Sequence, residues 1–164
     1  MMKNRALFII DVQKGQIRPE QGELIAGVES LQDEFDLIAV FSILNPEGSP
    51  WRRWIKWGRF GPDDPGRELA FTPAPHAMLF DKPQYSALLP EVQGWLDENA
   101  VDEVHLCGVR TENCILATAV DLFQGGKMRP VVRASYCGSP YPELHDAGLK
   151  ILEKFIGKDQ IVYD

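Results

Sequence analysis

The chain has 164 residues, of which 45% are hydrophobic and 25% are charged, a composition typical of one globular domain with a substantial core. We therefore expect a single domain that spans residues 1–164. The 17 Lys and Arg residues are outnumbered by 24 Asp and Glu residues, for a formal net charge of −7. Because no basic stripe is present to neutralise a phosphate backbone, nucleic acid is not expected as a partner.

The amino terminus and the cysteines indicate the compartment. The apolar run within MMKNRALFIIDVQ ends at Asp11 after about six residues, which is too short for a secretory signal or a membrane span. The three cysteines, Cys107, Cys114 and Cys137, cannot all pair with one another, and their spacing is not that of a zinc site. We expect a cytoplasmic protein with free thiols, without membrane association and without a cofactor.

Apolar runs suited to buried strands alternate along the chain with segments of helical spacing. The predicted strands cover residues 6–10, 37–43, 77–80, 104–106, 130–132 and 160–163, and the predicted helices cover residues 23–35, 88–99, 113–123 and 142–155. Strands that alternate with helices favour a three-layer α/β/α fold around a six-stranded, mainly parallel sheet. We expect the Rossmann-like strand order 3-2-1-4-5-6.

Residues 45–75 interrupt this alternation. The segment holds many of the prolines and glycines of the chain together with Trp51, Trp54 and Trp57. Such long irregular segments usually act as lids, binding loops or contacts with a partner. A spacing of three suits one face of a short helix, so the tryptophans could line a pocket or pack on the body or on a second subunit. The pattern does not decide between these alternatives.

Three side chains able to do chemistry stand near the ends of predicted strands. Asp11 directly follows the first strand, Lys82 follows the third, and Cys114 lies just past the fourth, where a helix is predicted to begin. In the order 3-2-1-4-5-6 the winding reverses between strands one and four, so Asp11 and Cys114 would face one crevice. A helix terminus and a nearby lysine would lower the thiol pKa, and Asp11 could accept the thiol proton. Taken singly, each residue is more often structural.

Three motifs in a fixed order connect these residues. The segment GVRTENCILATAVDLFQGG, residues 108–126, contains Cys114, the segment LFIIDVQ contains Asp11 and Gln13, and the segment FDKPQYSAL contains Lys82. Together they resemble the isochorismatase-like cysteine hydrolases, a family that includes nicotinamidases and carbamoyl amidohydrolases. The resemblance covers nearly the whole chain. It implies a six-stranded parallel sheet with helices on both sides and a catalytic triad of Asp11, Lys82 and Cys114.

The resemblance also implies how such a site works. A cis peptide bond is expected between Val109 and Arg110, so that the Arg110 N–H and the Cys114 N–H form an oxyanion hole. The Cys114 thiolate would attack an amide-like carbonyl, the leaving amine would be protonated through Asp11, and water would hydrolyse the thioester. Lys82 would hold the charge balance. The implied partner is a small-molecule substrate, and relatives suggest a homo-oligomer.

The sequence departs from the family near the expected substrate pocket. Nicotinamidases hold a metal through an aspartate and histidines after strand two, whereas this segment reads FSILNPEGSP and contains no histidine. A metal-dependent nicotinamidase is therefore disfavoured, and no metal is expected. Arg110 could bind an anionic substrate group, or it could point to solvent or to an interface. The residues expected to border the substrate are Gln16, Asn45, Trp51, Trp54, Trp57 and Tyr85.

Hydrolysis of a small amide or carbamoyl compound is the leading hypothesis for the function. One alternative is vinyl-ether hydrolysis of the isochorismate type, although relatives with that chemistry do not depend on the cysteine. Another is a non-catalytic binding or thiol-sensing protein that keeps the fold. The sequence does not identify the substrate, because the triad sets the reaction class whereas variable loops set recognition.

Overall fold

The structure, a computed structural model, describes residues 4–164 as three layers with a sheet between two layers of helices. In this part of the chain, no helix is long and apolar enough to cross a membrane. The strands of the sheet are β1 (Arg5–Ile10), β2 (Leu37–Ile43), β3 (Met78–Lys82), β4 (Glu103–Val109), β5 (Arg129–Gly138) and β6 (Ile161–Val162). The α-helices are α1 (Gly22–Leu31), α2 (Pro50–Trp54), α3 (Pro90–Glu98), α4 (Leu116–Gly125) and α5 (Pro142–Ile156).

The strand order confirms the predicted topology. The described residues form a six-stranded sheet of order β3-β2-β1-β4-β5-β6, and every pair of neighbouring strands is parallel. The winding reverses between β1 and β4, as in other doubly wound folds. Because parallel strands end at the same edge of a sheet, the residues that follow β1, β3 and β4 meet in one crevice.

Alternation along β1 divides the core into two halves. Ala6, Phe8 and Ile10 face the layer formed by α3, α4 and α5, whereas Leu7 and Ile9 face the layer that contains α1. All five side chains are completely buried. A strand covered on both faces is apolar at every position, which is why this segment is recognisable from the sequence.

Strand β5 is longer than its apolar run predicts. The run covers residues 130–132, whereas the strand extends over ten residues. Arg133 ends the run, but its buried guanidinium pairs with Glu34 at 3.2 Å and with Asp164 at 2.6 Å. Cys137 lies within this strand and is buried, although it stands outside the apolar run. Ion pairs with residues distant in sequence allow the strand to continue.

The segment between β2 and β3 is attached to the end of β2. Ser49 begins helix α2, and its hydroxyl accepts a hydrogen bond from the Arg52 N–H at 3.2 Å, which satisfies one free donor of the helix. Trp51 of this helix packs against Ile43 and Phe60 in a small separate hydrophobic cluster. The long irregular segment is thus positioned next to the crevice.

Candidate active site

The crevice at the carboxyl edge of the sheet brings together the three predicted catalytic side chains. Asp11 follows β1, Lys82 is the last residue of β3, and Cys114 lies in a π-helical turn, Thr111–Ile115, between β4 and α4. The Lys82 Nζ lies 3.0 Å from Asp11 Oδ2 and 3.4 Å from Cys114 Sγ. All three residues are buried. The lysine therefore stands between a carboxylate and a thiol, in contact with both.

Close approach of two strands sets the position of Asp11. This residue has a φ of 56°, a left-handed conformation that aspartate adopts more readily than most residues. Gly108 of β4 lies opposite Ile10 of β1 and has a φ of 111°. A Cβ on Gly108 would overlap the Ile10 carbonyl oxygen and lie 2.8 Å from the Ile10 nitrogen. Glycine is therefore required beside the predicted base.

Gln13 connects the ends of β1 and β2. Its side chain is completely buried, its Oε1 accepts a hydrogen bond from the Ile43 N–H at 2.9 Å, and its Nε2 donates to the Arg67 carbonyl at 3.0 Å. This residue of the LFIIDVQ motif thus has a structural role. It holds the strand end next to Asp11 against the segment that follows β2.

The turn that carries Cys114 is held by β5 and α5. The Thr111 hydroxyl donates to the Gly138 carbonyl at 3.3 Å and lies 2.7 Å from His145 Nδ1. Gly148 of α5 packs against the backbone of Glu112, where an added Cβ would lie 3.1 Å from the Glu112 nitrogen. The turn is therefore held by contacts with two elements that come much later in the sequence than the turn itself.

The backbone before the turn has the conformation that the family resemblance implies. The Val109–Arg110 peptide bond is cis. The Arg110 carbonyl accepts hydrogen bonds from the Asn113 N–H at 3.1 Å and from the Ile115 N–H at 3.3 Å. These bonds close the turn around the residue that carries the thiol.

The electrostatics of Cys114 differ from the expectation drawn from the sequence. Burial raises the pKa of the thiol well above its ordinary value, the negative charge of Asp11 raises it further, and Lys82 only partly opposes these effects. The prediction that the helix terminus and the lysine give a lowered thiol pKa is therefore wrong for the resting site. The burial of the thiol was not visible in the sequence, and its effect on the pKa outweighs that of the lysine. The resting residue is a thiol.

The partners of the thiol are an ammonium and an unusually basic carboxylate. Burial raises the pKa of Asp11, although Lys82 and hydrogen bonds to Cys114 and Lys82 oppose the increase. Burial alone would lower the pKa of Lys82, but Asp11 and Cys114 reverse this and raise it above its ordinary value. Lys82 also donates to the carbonyls of Gln84 at 2.6 Å and Tyr85 at 3.0 Å. A carboxylate more basic than an exposed aspartate thus stands ready to accept the thiol proton.

A cavity of about 200 Å³ reaches Cys114. Four of the residues predicted to border the substrate line it, namely Gln16, Trp51, Trp57 and Tyr85, and Arg110 lines it as well. The lining also includes Ile43, Ile55 and Asn113. The sequence did not indicate these three residues, and only the position of Asn113 directly before Cys114 could have shown its place.

Three aromatic side chains form one side of the cavity, and we call them the aromatic wall: Trp51, Trp57 and Tyr85. The ring of Trp51 contacts those of Trp57 and Tyr85 edge-on, with centroids 5.4 Å apart in each pair. Trp51 is only 4% exposed. The wall is therefore a packed unit beside the thiol, and it offers an apolar surface to a bound molecule.

Two residues predicted to border the substrate do not line this cavity. Asn45 is buried, and its amide nitrogen donates to the carbonyls of Trp57 at 2.9 Å and Arg59 at 2.8 Å, while its Oδ1 accepts from the Ser49 hydroxyl at 2.6 Å. It supports the wall from behind. Trp54, the last residue of α2, is 71% exposed. Because the helix ends there, a spacing of three does not place all three tryptophans on one face.

The segment after β2 does not provide ligands for a metal ion like the one that the family resemblance places after strand two in nicotinamidases. The polar atoms of Asn45 are all engaged by protein groups, and that segment contains no histidine. Within residues 4–164, no group of three or more His, Cys, Asp or Glu side chains is placed to hold a metal. The chemistry of these donors therefore does not match a divalent-metal site.

Comparisons with known proteins agree with this architecture. Pyrazinamidase of Pyrococcus horikoshii, solved in complex with zinc, is 22% identical, with a TM-score of 0.82 over 98% of this chain and 99% of that chain. Pyrazinamidase/nicotinamidase of Streptococcus mutans UA159 is 25% identical, with a TM-score of 0.80 over 96% of this chain and 99% of that chain. These likenesses show the fold.

Sequence comparison identifies the family. A secreted isochorismatase effector of Phytophthora sojae is 42% identical over 55 residues, which make up 32% of this chain and 26% of that protein. The model of the isochorismatase domain matches residues 5–158. This match extends over almost the entire chain and confirms the resemblance seen in the motifs. With its parallel sheet of order 3-2-1-4-5-6, the protein belongs to the isochorismatase-like hydrolase family.

Proposed function

We propose that this protein is a cysteine-dependent hydrolase that cleaves a C–N bond of a small amide or carbamoyl substrate through a thioester. One observation carries the proposal. Lys82 Nζ lies 3.0 Å from Asp11 Oδ2 and 3.4 Å from Cys114 Sγ, and the cysteine lines a cavity. A base, a cation and a nucleophile in contact beside a ligand-sized space are the parts that acyl transfer requires.

The first step is attack on the substrate carbonyl. The proton of the Cys114 thiol moves to Asp11 as Sγ forms a bond to the carbonyl carbon, and the carbonyl electrons move to the oxygen. The raised pKa of Asp11 favours this transfer. In our proposal the backbone N–H groups of Arg110 and Cys114 stabilise the oxyanion, and the Lys82 ammonium balances the negative charge.

The second step breaks the C–N bond and then the C–S bond. The oxyanion collapses, the leaving nitrogen takes the proton from Asp11, and ammonia or an amine departs. Water then gives a proton to Asp11 and attacks the thioester carbonyl. When the second oxyanion collapses, Sγ leaves and recovers the proton from Asp11. The acid product departs, and every group returns to its starting state.

The cavity restricts the substrate to a small molecule. Its volume of about 200 Å³ is below the range of roughly 300–1,000 Å³ that is typical of sites for drug-sized ligands. The aromatic wall suits a short apolar or planar body next to the scissile carbonyl. The proposed route uses only side chains and backbone groups of the protein itself.

The test is a screen of small amides and carbamoyl compounds for ammonia release. Cys114→Ala should lower the rate about a thousandfold or more, because removing the nucleophile leaves only binding and the oxyanion hole. Hydroxylamine trapping or mass spectrometry should detect the thioester in the original protein and not in the variant. Cys137→Ala is the matched control, since this buried thiol has a pKa raised by burial to about 12 and does not line the cavity.

Two results would overturn the proposal. Normal turnover by folded Cys114→Ala protein would show that the cysteine is dispensable, as expected for vinyl-ether hydrolysis of the isochorismate type. Absence of ammonia release and of any trapped intermediate across the screen would instead leave a binding protein with the family fold.

A further inference from the structure

We propose that Arg110 determines specificity by binding a carboxylate of the substrate. This inference rests on the proposed function and deepens it, because it assigns the chemical class of the molecule that Cys114 attacks. The substrate would carry its scissile amide at the thiol and an acid group at the guanidinium.

The first observation is an arginine without a counter-ion in the cavity. Arg110 lines the same cavity as Cys114, and its Nε is buried without a hydrogen-bond partner among residues 4–164. The buried guanidinium of Arg133, in contrast, pairs with Glu34 at 3.2 Å and with Asp164 at 2.6 Å. A buried donor that lacks a partner is unfavourable, and a bound ligand is one of the few features that account for it.

The second observation is the charge of the lining. Among the described residues that line the cavity, Arg110 alone bears a formal charge. The acid closest to it in sequence, Glu112, is not part of the lining and forms no ion pair with Arg110 among the described residues. Its Oε1 accepts a hydrogen bond from the Ser139 hydroxyl at 2.9 Å. A neutral substrate would leave a cation uncompensated in a partly closed space, whereas an anionic one would neutralise it.

The third observation is the support of the guanidinium. Its central carbon lies 5.7 Å from the centroid of the Tyr141 ring. An aromatic ring beneath a guanidinium occupies one face of the cation and leaves its N–H groups free in their own plane. That arrangement suits bidentate binding of a planar carboxylate.

The size and the lining of the cavity restrict the class of substrate further. The carbonyl carbon must reach Cys114 and the carboxylate must reach Arg110 within a volume of about 200 Å³. The aromatic wall covers the hydrocarbon between these two ends. A short-chain monoamide of a dicarboxylic acid has this combination of groups.

The experiment compares acids with matched neutral amides by calorimetry, on Cys114→Ala protein so that binding is measured without turnover. The acids are malonamate, succinamate and glutaramate, and the controls are malonamide, succinamide and glutaramide. We expect at least one acid to bind about tenfold or more tightly than its diamide, as for a charged hydrogen-bonded pair away from bulk water. No preference for any acid, or no binding by any acid, would overturn the inference.

Variants identify the responsible cation. Arg110→Gln should reduce the preference to about twofold or less, whereas Arg110→Lys should keep part of it, because lysine retains the charge but not the fork of donors. Arg18→Gln is the matched control. Arg18 lies 5.5 Å from the same Tyr141 ring but does not line the cavity, so its removal should leave the preference unchanged.

The outcomes separate this inference from the proposed function. A preference for acids that survives Arg110→Gln would assign carboxylate binding to another group and refute the inference alone. A preference that depends on Arg110, combined with no release of ammonia by the unsubstituted protein, would support the inference and contradict hydrolysis.

Discussion

The two sides of the cavity are built by different means. Asp11 and Lys82 of the proposed triad stand at the ends of regular strands, where strand pairing and, for Asp11, close approach at Gly108 set the positions of the side chains. Cys114 lies in the turn that follows β4. The aromatic wall belongs largely to an irregular segment, in which single polar side chains bind backbone groups. Asn45 holds the carbonyls of Trp57 and Arg59 in this way. The proposed reactive groups thus rest on the sheet and the turn after β4, whereas the wall that we propose as the substrate surface depends on a few local hydrogen bonds.

Asp64 is another polar side chain that binds backbone groups close to it in the irregular segment. Its carboxylate accepts hydrogen bonds from the N–H groups of Phe60 and Gly66, each at 2.7 Å. These backbone bonds lower the pKa of Asp64, although the residue is only half-buried. A turn fixed by one carboxylate of the same segment can change with little effect on the sheet.

Asp11→Asn should produce the largest effect and would test the triad side most directly. The amide cannot accept the thiol proton, so kcat/KM should fall by about a thousandfold. The folded protein should also lose roughly 3 kcal/mol of stability, because Lys82 loses its buried partner. Steady-state kinetics and urea unfolding measure the two effects.

Asp81→Asn is the matched control for this prediction. Asp81 pairs with Arg67 at 2.8 Å, but its side chain is 59% exposed, and exposed ion pairs contribute less than about 1 kcal/mol. Equal losses of kcat/KM and of unfolding free energy for both variants would mean that Asp11 acts only as a member of an ion pair.

Gly108→Ala should be the largest purely structural change. The added methyl would overlap the Ile10 carbonyl oxygen, and residue 108 has a φ of 111°, which residues other than glycine rarely adopt. We therefore expect a loss of about 3 kcal/mol or more in unfolding free energy. Gly94→Ala in α3 has open space around the new methyl and should raise stability by roughly 0.5–1 kcal/mol. A tolerated Gly108→Ala would show that β1 and β4 can separate next to Asp11.

Trp51→Ala compared with Trp54→Ala tests the recognition side. Trp51 is 4% exposed and Trp54 is 71% exposed. Removing the buried ring should cost about 3 kcal/mol and raise KM, whereas removing the exposed ring should change stability by less than about 0.5 kcal/mol. If Trp54→Ala instead altered the molecular mass seen by sedimentation, the exposed ring would belong to a subunit interface.

The pH dependence of turnover provides the smallest and most specific effect. Asp11 must be ionised to accept the thiol proton, and burial raises its pKa above the ordinary value of 3.8. Activity is therefore present above this raised value, and kcat/KM should fall about tenfold per pH unit below it. Rates measured on folded protein that stay constant down to about pH 4 would contradict an essential buried carboxylate.

The sequence predicted the triad side better than the recognition side, and the structure explains why. Asp11 and Lys82 adjoin strands that are recognisable because both faces are buried, so their placement follows from the parallel sheet. The charge state of Cys114 did not follow, because it depends on burial by residues from several elements.

The wall could be predicted only in part, because its members depend on where a short helix ends. Trp51 and Trp57 line the cavity, but Trp54 between them does not. Asn45 looked like a pocket residue from its place after β2, yet backbone carbonyls of the same segment engage its amide. Hydrogen bonds between a side chain and backbone carbonyls in an irregular segment follow no periodic pattern, so the sequence does not predict them.

Tyr85 belongs to both sides of the cavity, and this has a consequence for engineering the proposed substrate range. Its carbonyl accepts a hydrogen bond from Lys82, while its ring packs against Trp51. A substitution that shifts this residue would alter selectivity and reactivity together. Ile55 and Trp57 line the cavity without contacting the lysine through any hydrogen bond of the described chain. Directed evolution of a new specificity should therefore begin at these two positions, because substitutions there should leave the hydrogen bonds of Lys82 unchanged.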